Sequence, residues 1–312
     1  MISVVIPVYN EEGNVIPLYT ELEEVLSSLS QKYEIIFIDD GSTDNTLRNL
    51  LSLLEEGERN LKIIQLRKRF EKSAALVAGF SSTRGDIIIT LDGDGQDDPK
   101  NIPRLLEKLT EGIDVVCGWR HNRKDSFLFK KLPSWIYNKL NRIFNKVNLN
   151  DSDCMLRVYR KEVISEIVLL GGDHRYIPAI LFNKGFKFTE VKVNHRERKS
   201  GKSKYGIKRI FTGFSDLITF RFLFSYGHRP MHLFSSIGIL SMLLALASGI
   251  YLLVVKYAYG EDIGTRPLLL LTILLGIAGF QFVFTGFLAE LIVRQKTTAS
   301  SLYSIKKVHE NK

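Results

Sequence analysis

Along residues 1–118, short apolar runs alternate with stretches whose apolar positions recur at helical spacing. Ile2–Ile6, Tyr33–Ile38, Leu61–Leu66, Asp86–Leu91 and Ile113–Cys117 are rich in Ile and Val and read as strands. Val15–Leu29, Thr46–Leu54, Ser73–Ser81 and Ile102–Leu109 read as the helices between them. Strands that alternate with helices predict a doubly wound, parallel α/β sheet with its ligand chemistry at the carboxyl ends of the strands. Polar residues gather at those ends: Tyr9-Asn10-Glu11, Asp39-Asp40-Gly41-Ser42 and Asp92-Gly93-Asp94. Further on, Phe127–Val147 reads as a basic amphipathic helix and Lys187–Asn194 as a strand. Ile207, Ile210, Phe211, Phe214, Leu217 and Ile218 fit one face of a helix lying on a bilayer surface, or packed against the preceding domain.

The pattern changes near the C-terminus. Leu233–Val255 and Pro267–Ala289 contain no charged residue. As helices, each would extend roughly 34 Å, enough to cross the ~30 Å hydrocarbon core. Apolar residues make up 45% of the chain and charged residues 25%, which excludes a largely disordered polymer and fits a folded domain with a two-span anchor.

Lys and Arg outnumber Asp and Glu by 43 to 34, for a net charge of +9. The surplus is placed beside the apolar windows: Lys192, Arg196, Arg198, Lys199, Lys202, Lys204, Lys208 and Arg209 before the first, and Arg294, Lys296, Lys306 and Lys307 after the second. The connector carries Glu261 and Asp262 against Lys256 and Arg266. This bias predicts a multi-pass protein of the plasma membrane (the inner membrane of a bacterium) with both termini and the N-terminal domain in the cytoplasm. It favours an anionic membrane over nucleic acid, since no aromatic base-stacking platform accompanies the charge. The N-terminal apolar run is too short for a signal peptide, and Cys117 and Cys154, in no metal-binding spacing, read as reduced thiols.

The densest acidic cluster is Asp92-Gly93-Asp94-Gly95-Gln96-Asp97-Asp98. Two carboxylates one residue apart at the end of a buried strand repel each other unless a cation lies between them. Such oxygen ligands suit Mg²⁺ or Mn²⁺ shared with substrate phosphates. An EF-hand is excluded, because Asp97 and Pro103 stand where that loop needs Gly and Glu. Neither a dinucleotide fingerprint nor a P-loop occurs.

Pro7-Val8-Tyr9-Asn10-Glu11, Asp39-Asp40-Gly41-Ser42 with Asp44, and Asp92-x-Asp94 followed by Gln96 resemble the signature of glycosyltransferase family 2. The resemblance continues through Arg120, Asp151–Arg160, His174–Pro178 and His195-Arg196 with Gly201–Tyr205. With the two C-terminal windows, nearly the whole chain is similar to the polyisoprenyl-phosphate glycosyltransferases. Arg120–Ser126 and Cys154–Arg160 most resemble the undecaprenyl-phosphate 4-deoxy-4-formamido-L-arabinose transferases. This resemblance implies a GT-A fold, an α/β domain on a mostly parallel Rossmann-like sheet, over residues 1–204. Interfacial helices over 205–230, two transmembrane helices over 231–293 and a tail over 294–312 would follow.

The resemblance also implies roles. Pro7, Tyr9, Glu11, Asp39 and Asp40 would hold the nucleoside, while Asp92, Asp94 and Gln96 hold a divalent metal, Mg²⁺ or Mn²⁺, and the diphosphate. Arg120 would contact the donor diphosphate. Asp151 and Asp153 are candidates for orienting the acceptor, and Arg196, Arg198, Ser203 and Lys204 would gather its phosphate. The implied partners are a nucleotide-diphosphate sugar (UDP-linked on the nearest resemblance), a polyisoprenyl phosphate and the membrane, with self-association left open. Glu71 departs from the family pattern, which has glycine there, as does Asp153. The Q-x-x-R-W motif of processive polysaccharide synthases is absent, and a catalytically inactive nucleotide-sugar-binding scaffold is the alternative from another class.

Overall fold

A computed structural model describes residues 1–57, 60–120, 149–151, 153–169, 171–196, 226 and 229–296. The chain forms two compact units, Met1–Ile210 and Phe211–Lys312. The expected helices at 127–147 and 207–218, and the expected boundary at 204, lie outside the described residues.

The described part of the first unit is built on a seven-stranded sheet in the order β3-β2-β1-β4-β6-β5-β7. Its strands are β1 (Ile2–Val8), β2 (Tyr33–Asp39), β3 (Leu61–Gln65), β4 (Ile87–Thr90), β5 (Val115–Arg120), β6 (Arg157–Arg160) and β7 (Phe188–Val193). The continuous Ile/Val character of β1 and β2 suits strands covered on both faces, and β1 is buried along its whole length. The edge strand β7 shows more exposure, as its FTEVKV sequence requires. Helices α1 (Val15–Ser27), α2 (Thr46–Glu55), α3 (Lys72–Ser81) and α4 (Ile102–Lys108) connect the strands. On α1 the buried positions Val15, Leu18, Tyr19, Leu22, Val25 and Leu26 form one stripe against the sheet. Each large apolar side chain on that stripe contributes about 1.5–3 kcal/mol.

The alternation of strands and helices thus yields the expected mostly parallel sheet, with one departure. β6 runs antiparallel between β4 and β5, pairing Ile88 with Tyr159 and Val116 with Val158. Its reversal keeps β5 parallel to β4, so β1, β2, β4 and β5 all end at one edge of the sheet. Two short helices follow β6: α5 (Lys161–Ser165) and α6 (Ile177–Asn183), the latter preceded by a 3₁₀ turn at Asp173–Tyr176.

The second unit contains α7 (Pro230–Ala258) and α8 (Pro267–Lys296), of 29 and 30 residues. At ~1.5 Å per residue each extends about 44 Å. Leu240, Leu243, Leu246, Leu270, Leu274 and Ile277 all project outward from the pair. The two helices are long and apolar enough to cross a membrane. They approach closely through glycine: a Cβ on Gly238 would lie 2.7 Å from the carbonyl oxygen of Gly279.

Candidate active site

The nucleotide-facing candidates sit where β1 and β2 end. Pro7 occupies a central strand because the Val5 carbonyl, two residues earlier, accepts the last bond from the β4 side, that of Leu91 N–H. Beyond that point the missing N–H of proline costs the ladder nothing. Asn10 then turns the chain with φ 52°, a conformation that Asn tolerates better than most residues. Its N–H donates to Ser42 Oγ (2.9 Å), and its Oδ1 accepts Thr43 N–H (2.8 Å). Glu11 N–H donates to Thr46 Oγ1 (2.7 Å), so the loops after β1 and β2 are tied into one surface.

Asp39 and Asp40 are buried carboxylates that serve the backbone. Asp39 Oδ1 accepts Ser42 N–H (3.2 Å). Asp40 accepts Phe70 N–H (2.6 Å) and Glu71 N–H (2.9 Å), which fixes the loop after β3. Burial raises the Asp40 pKa, and these two N–H donors and Arg69 offset only part of the rise. The same loop carries the Arg69 guanidinium over the Tyr9 ring, 4.4 Å from its centroid. Gly41, at φ 69°, lies so close beneath the loop that a Cβ would be 2.6 Å from the Lys68 carbonyl carbon.

The acidic turn follows β4 and packs just as closely. A Cβ on Gly93 would come within 2.4 Å of Val8 Cγ1, so only glycine lets this turn lie beside β1. Asp94 Oδ1 accepts Gln96 N–H (3.1 Å), and Asp97 Oδ2 accepts Asp92 N–H (3.3 Å). Asp92 Oδ1 accepts from Lys72 Nζ at 2.6 Å. Burial pushes the Asp92 carboxyl up, but Lys72, Arg120 and His174 overcome it and hold the pKa below the usual carboxylate range. Asp97 goes the other way: burial, then the charges of Asp92 and Asp94, outweigh Arg120 and the Asp92 N–H and push it up to about 7.

Asp92 and Asp94 present hard carboxylate oxygens, which fit Mg²⁺ or Mn²⁺. Among the described residues no group of three or more His, Cys, Asp or Glu gathers as a ready cage, so the rest of a coordination shell would come from water and phosphate oxygens. The Gln96 side-chain amide donates to the Arg196 carbonyl (3.3 Å), and Arg196 N–H donates to the Gln96 carbonyl (2.9 Å). These bonds stitch the acidic turn to the segment after β7.

Arg120 ends β5. Its guanidinium forms a two-point pair with Asp151, Nε at 2.7 Å and Nη2 at 2.9 Å. Asp151 is 2% exposed and also accepts Asp153 N–H (3.3 Å). Asp151 therefore holds the Arg120 fork in a fixed plane. Arg196 is similarly engaged, with Glu21 at 2.5 Å and Asp98 at 2.6 Å. Arg198, Ser203 and Lys204 lie outside the described residues.

The contacts of two residues, Lys72 and His174, escape the sequence reading. Lys72 looks like an ordinary lysine ahead of a helix, yet its ammonium reaches the acidic turn. His174, more than a hundred positions later, places Nδ1 within hydrogen-bond distance of Ser73 Oγ (3.1 Å), and its backbone N–H donates to the same oxygen (3.1 Å). Burial, with Lys72 and Arg175 nearby, pushes the His174 pKa down to about 3. The His174–Pro178 motif marks the histidine in the sequence, and no motif marks Lys72.

The family model for "Glycosyl transferase family 2" matches residues 3–168. A dodecaprenyl-phosphate galacturonate synthase of Rhizobium johnstonii is 38% identical over 99% of this chain and 93% of its own length. An undecaprenyl-phosphate 4-deoxy-4-formamido-L-arabinose transferase of Klebsiella pneumoniae is 36% identical over 94% of this chain and 88% of its own. Among solved structures, glucosyl-3-phosphoglycerate synthase from Mycobacterium tuberculosis, in complex with Mn²⁺, UDP and phosphoglyceric acid, aligns with a TM-score of 0.56 at 18% identity. That alignment covers 72% of this chain and 77% of the other. The sheet-edge motifs, the matched family model and the full-length relatives agree: the chain belongs to glycosyltransferase family 2.

Proposed function

We propose that the protein transfers a sugar from a nucleotide-diphosphate sugar, UDP-linked, to a polyisoprenyl phosphate at the cytoplasmic face of the membrane. The observation that carries this reading is the meeting, at one sheet edge, of the Asp92–Asp94 turn with Lys72 and Arg120, in a chain that also has two membrane-length apolar helices. The names of the two relatives supply the class of acceptor.

Tyr9, Glu11, Asp39 and Asp40, with Pro7 shaping the strand end, border the nucleoside. A divalent ion bound by Asp92 and Asp94, with Gln96 beside them, would neutralise charge on the diphosphate. The acceptor phosphate has a second pKa of ~6 and is largely dianionic at neutral pH, so it needs no strong protein base. One of its oxygens bonds to the anomeric carbon as the bond from that carbon to the diphosphate oxygen breaks. The configuration inverts, and the nucleoside diphosphate leaves with the electron pair. Arg120, preorganised by Asp151, stabilises the charge on the departing group. Arg196 ties the acceptor-side segment to the acidic turn, with Arg198, Ser203 and Lys204 as the candidates for gathering the acceptor phosphate.

The test incubates the purified full chain in undecaprenyl-phosphate vesicles with UDP- and GDP-sugars, UDP-galacturonate included. The expected result is one sugar-phosphate lipid identified by mass, with the anomeric configuration opposite to that of the donor. No lipid product from any donor, with or without Mn²⁺ and Mg²⁺, would refute the reading.

A further inference from the structure

We propose that Lys72 is a built-in counter-ion that closes the metal motif to a bare divalent ion, so that metal loading depends on the donor diphosphate. The inference rests on the reading of Asp92 and Asp94 as metal ligands. It concerns the state of the site before the donor arrives.

Several anchors converge on this one lysine. Asp40 accepts the N–H groups of the two residues before it, Phe70 and Glu71. Ser73, the residue after it, is 2% exposed and bonded to His174 from the far part of the chain. Between these anchors Glu71 adopts φ 73°, ψ 166°, a backbone conformation that is essentially restricted to glycine. Neighbouring bonds on both sides hold a side-chain-bearing residue there. The result is an α3 start that directs Lys72 across to the end of β4.

There the ammonium lies 2.6 Å from Asp92 Oδ1, and each side chain keeps only 29% of its surface exposed. A metal ion on Asp92 would sit ~2.0–2.2 Å from a carboxylate oxygen. It would then lie within a few ångströms of Lys72, in a partly desolvated place where like charges repel strongly. Arg120 and His174 also face Asp92, and the positive field of Arg120 adds to that of Lys72. The carboxylates alone therefore meet an incoming dication with part of their charge already matched. A diphosphate brings new negative charge and oxygen ligands, and it offers the ammonium another partner. Metal and nucleotide accordingly bind as a unit, and the empty site avoids collecting free divalent ions.

The experiment measures Mn²⁺ binding to the full chain in detergent by electron paramagnetic resonance of the free ion, with and without UDP. The wild type should bind Mn²⁺ weakly alone and much more tightly with UDP. Lys72→Met should bind Mn²⁺ alone about tenfold more tightly or better, with a smaller gain on adding UDP, whereas Lys72→Arg should behave as the wild type. An unchanged affinity for Mn²⁺ alone in Lys72→Met overturns the proposal, as does a tightening in Lys72→Arg equal to that in Lys72→Met. Lys72→Gln carries the same comparison should the Met variant not fold. Asp94→Asn separates the two readings: if it leaves Mn²⁺ binding with UDP intact, the metal assignment itself is wrong, whatever the Lys72 variants do.

Discussion

The two sides of the sheet use charge in different ways. On the β1–β2 side, the carboxylates of Asp39 and Asp40 take backbone N–H groups as partners, and each fixes a loop. On the β5–β7 side, side chains pair with side chains: Arg120 with Asp151, and Arg196 with Glu21 and Asp98. The first arrangement makes a shaped rim. The second holds arginines in set orientations. The acidic turn after β4 lies between the two and borrows from both, with backbone donors on Asp94 and Asp97 and an ammonium on Asp92.

The largest effect is expected where the two sides meet. Asp94→Asn removes one of the two carboxylates proposed to hold the metal but keeps an oxygen that can accept Gln96 N–H, so the turn should survive. Transfer should fall about 10³-fold, because a metal's stabilisation of the leaving group is worth several kcal/mol. Unchanged circular dichroism with near-normal turnover would show that the turn is only a structural element.

Asp151→Asn should come next and should separate positioning from chemistry. It leaves the Arg120 guanidinium, 15% exposed, without its full counter-charge. Removing one partner of a buried pair costs about 3–5 kcal/mol, and the remaining exposure places this case at the low end, about 3 kcal/mol. The thermal transition should drop and kcat should fall. Asp151→Glu, which keeps the charge but moves the fork, should recover more stability than rate. Equal recovery of both would mean that the orientation of Arg120 is unimportant to the transfer.

This contrast also explains what the sequence revealed. β1, β2 and β4 were legible because strands covered on both faces leave continuous apolar runs, and β3, β5 and β7, two of them at the edges of the sheet, because Ile and Val recur in them between turn residues. β6 was not, since Arg-Val-Tyr-Arg is short and starts and ends with charge, yet Arg157 and Tyr159 are fully buried. Tertiary surroundings, not local pattern, decide that strand. Asp39, Asp40, Asp92 and Asp94 were identifiable as a constellation. The pairing of Asp151 with Arg120, and of Arg196 with Glu21 and Asp98, joins residues far apart in the chain, and no local spacing announces it. Lys72 was hidden for the same reason.

A smaller effect appears in the pH dependence of the His174–Ser73 bond that braces α3. The folded pKa of about 3 lies below the unperturbed value of ~6.5, so the unfolded chain binds more protons than the folded one between these values. Stability from a neutral His174 is therefore present above pH ~6.5 and is lost as the pH falls toward 3. His174→Gln should flatten that part of the stability–pH curve. Asp97, raised to about 7, has the opposite sign and loses its contribution as the pH rises from ~3.8 to 7. Asp97→Asn should thus leave a steeper acid-side loss than the wild type shows. An identical slope in wild type and His174→Gln would place the histidine outside the folding linkage.

The smallest and most specific effect concerns Glu71, where the loop after β3 meets the acidic turn. Its φ of 73° with ψ of 166° is held by bonds from Asp40 and by the start of α3. Such a conformation costs a non-glycine residue about 1–3 kcal/mol, and glycine adopts it freely. Glycine also adds entropy to the unfolded chain, which takes back ~0.5–1 kcal/mol. Glu71→Gly should therefore stabilise by about 1 kcal/mol, visible as a modest rise in the thermal transition. The carboxylate itself is exposed, so its removal should leave the Lys72–Asp92 pair in place. Glu71→Ala is the control: it also removes the carboxylate but keeps a Cβ, and it should gain no stability. If alanine stabilises as much as glycine, the gain comes from removing a negative charge near Asp40, and the backbone at this position is relaxed.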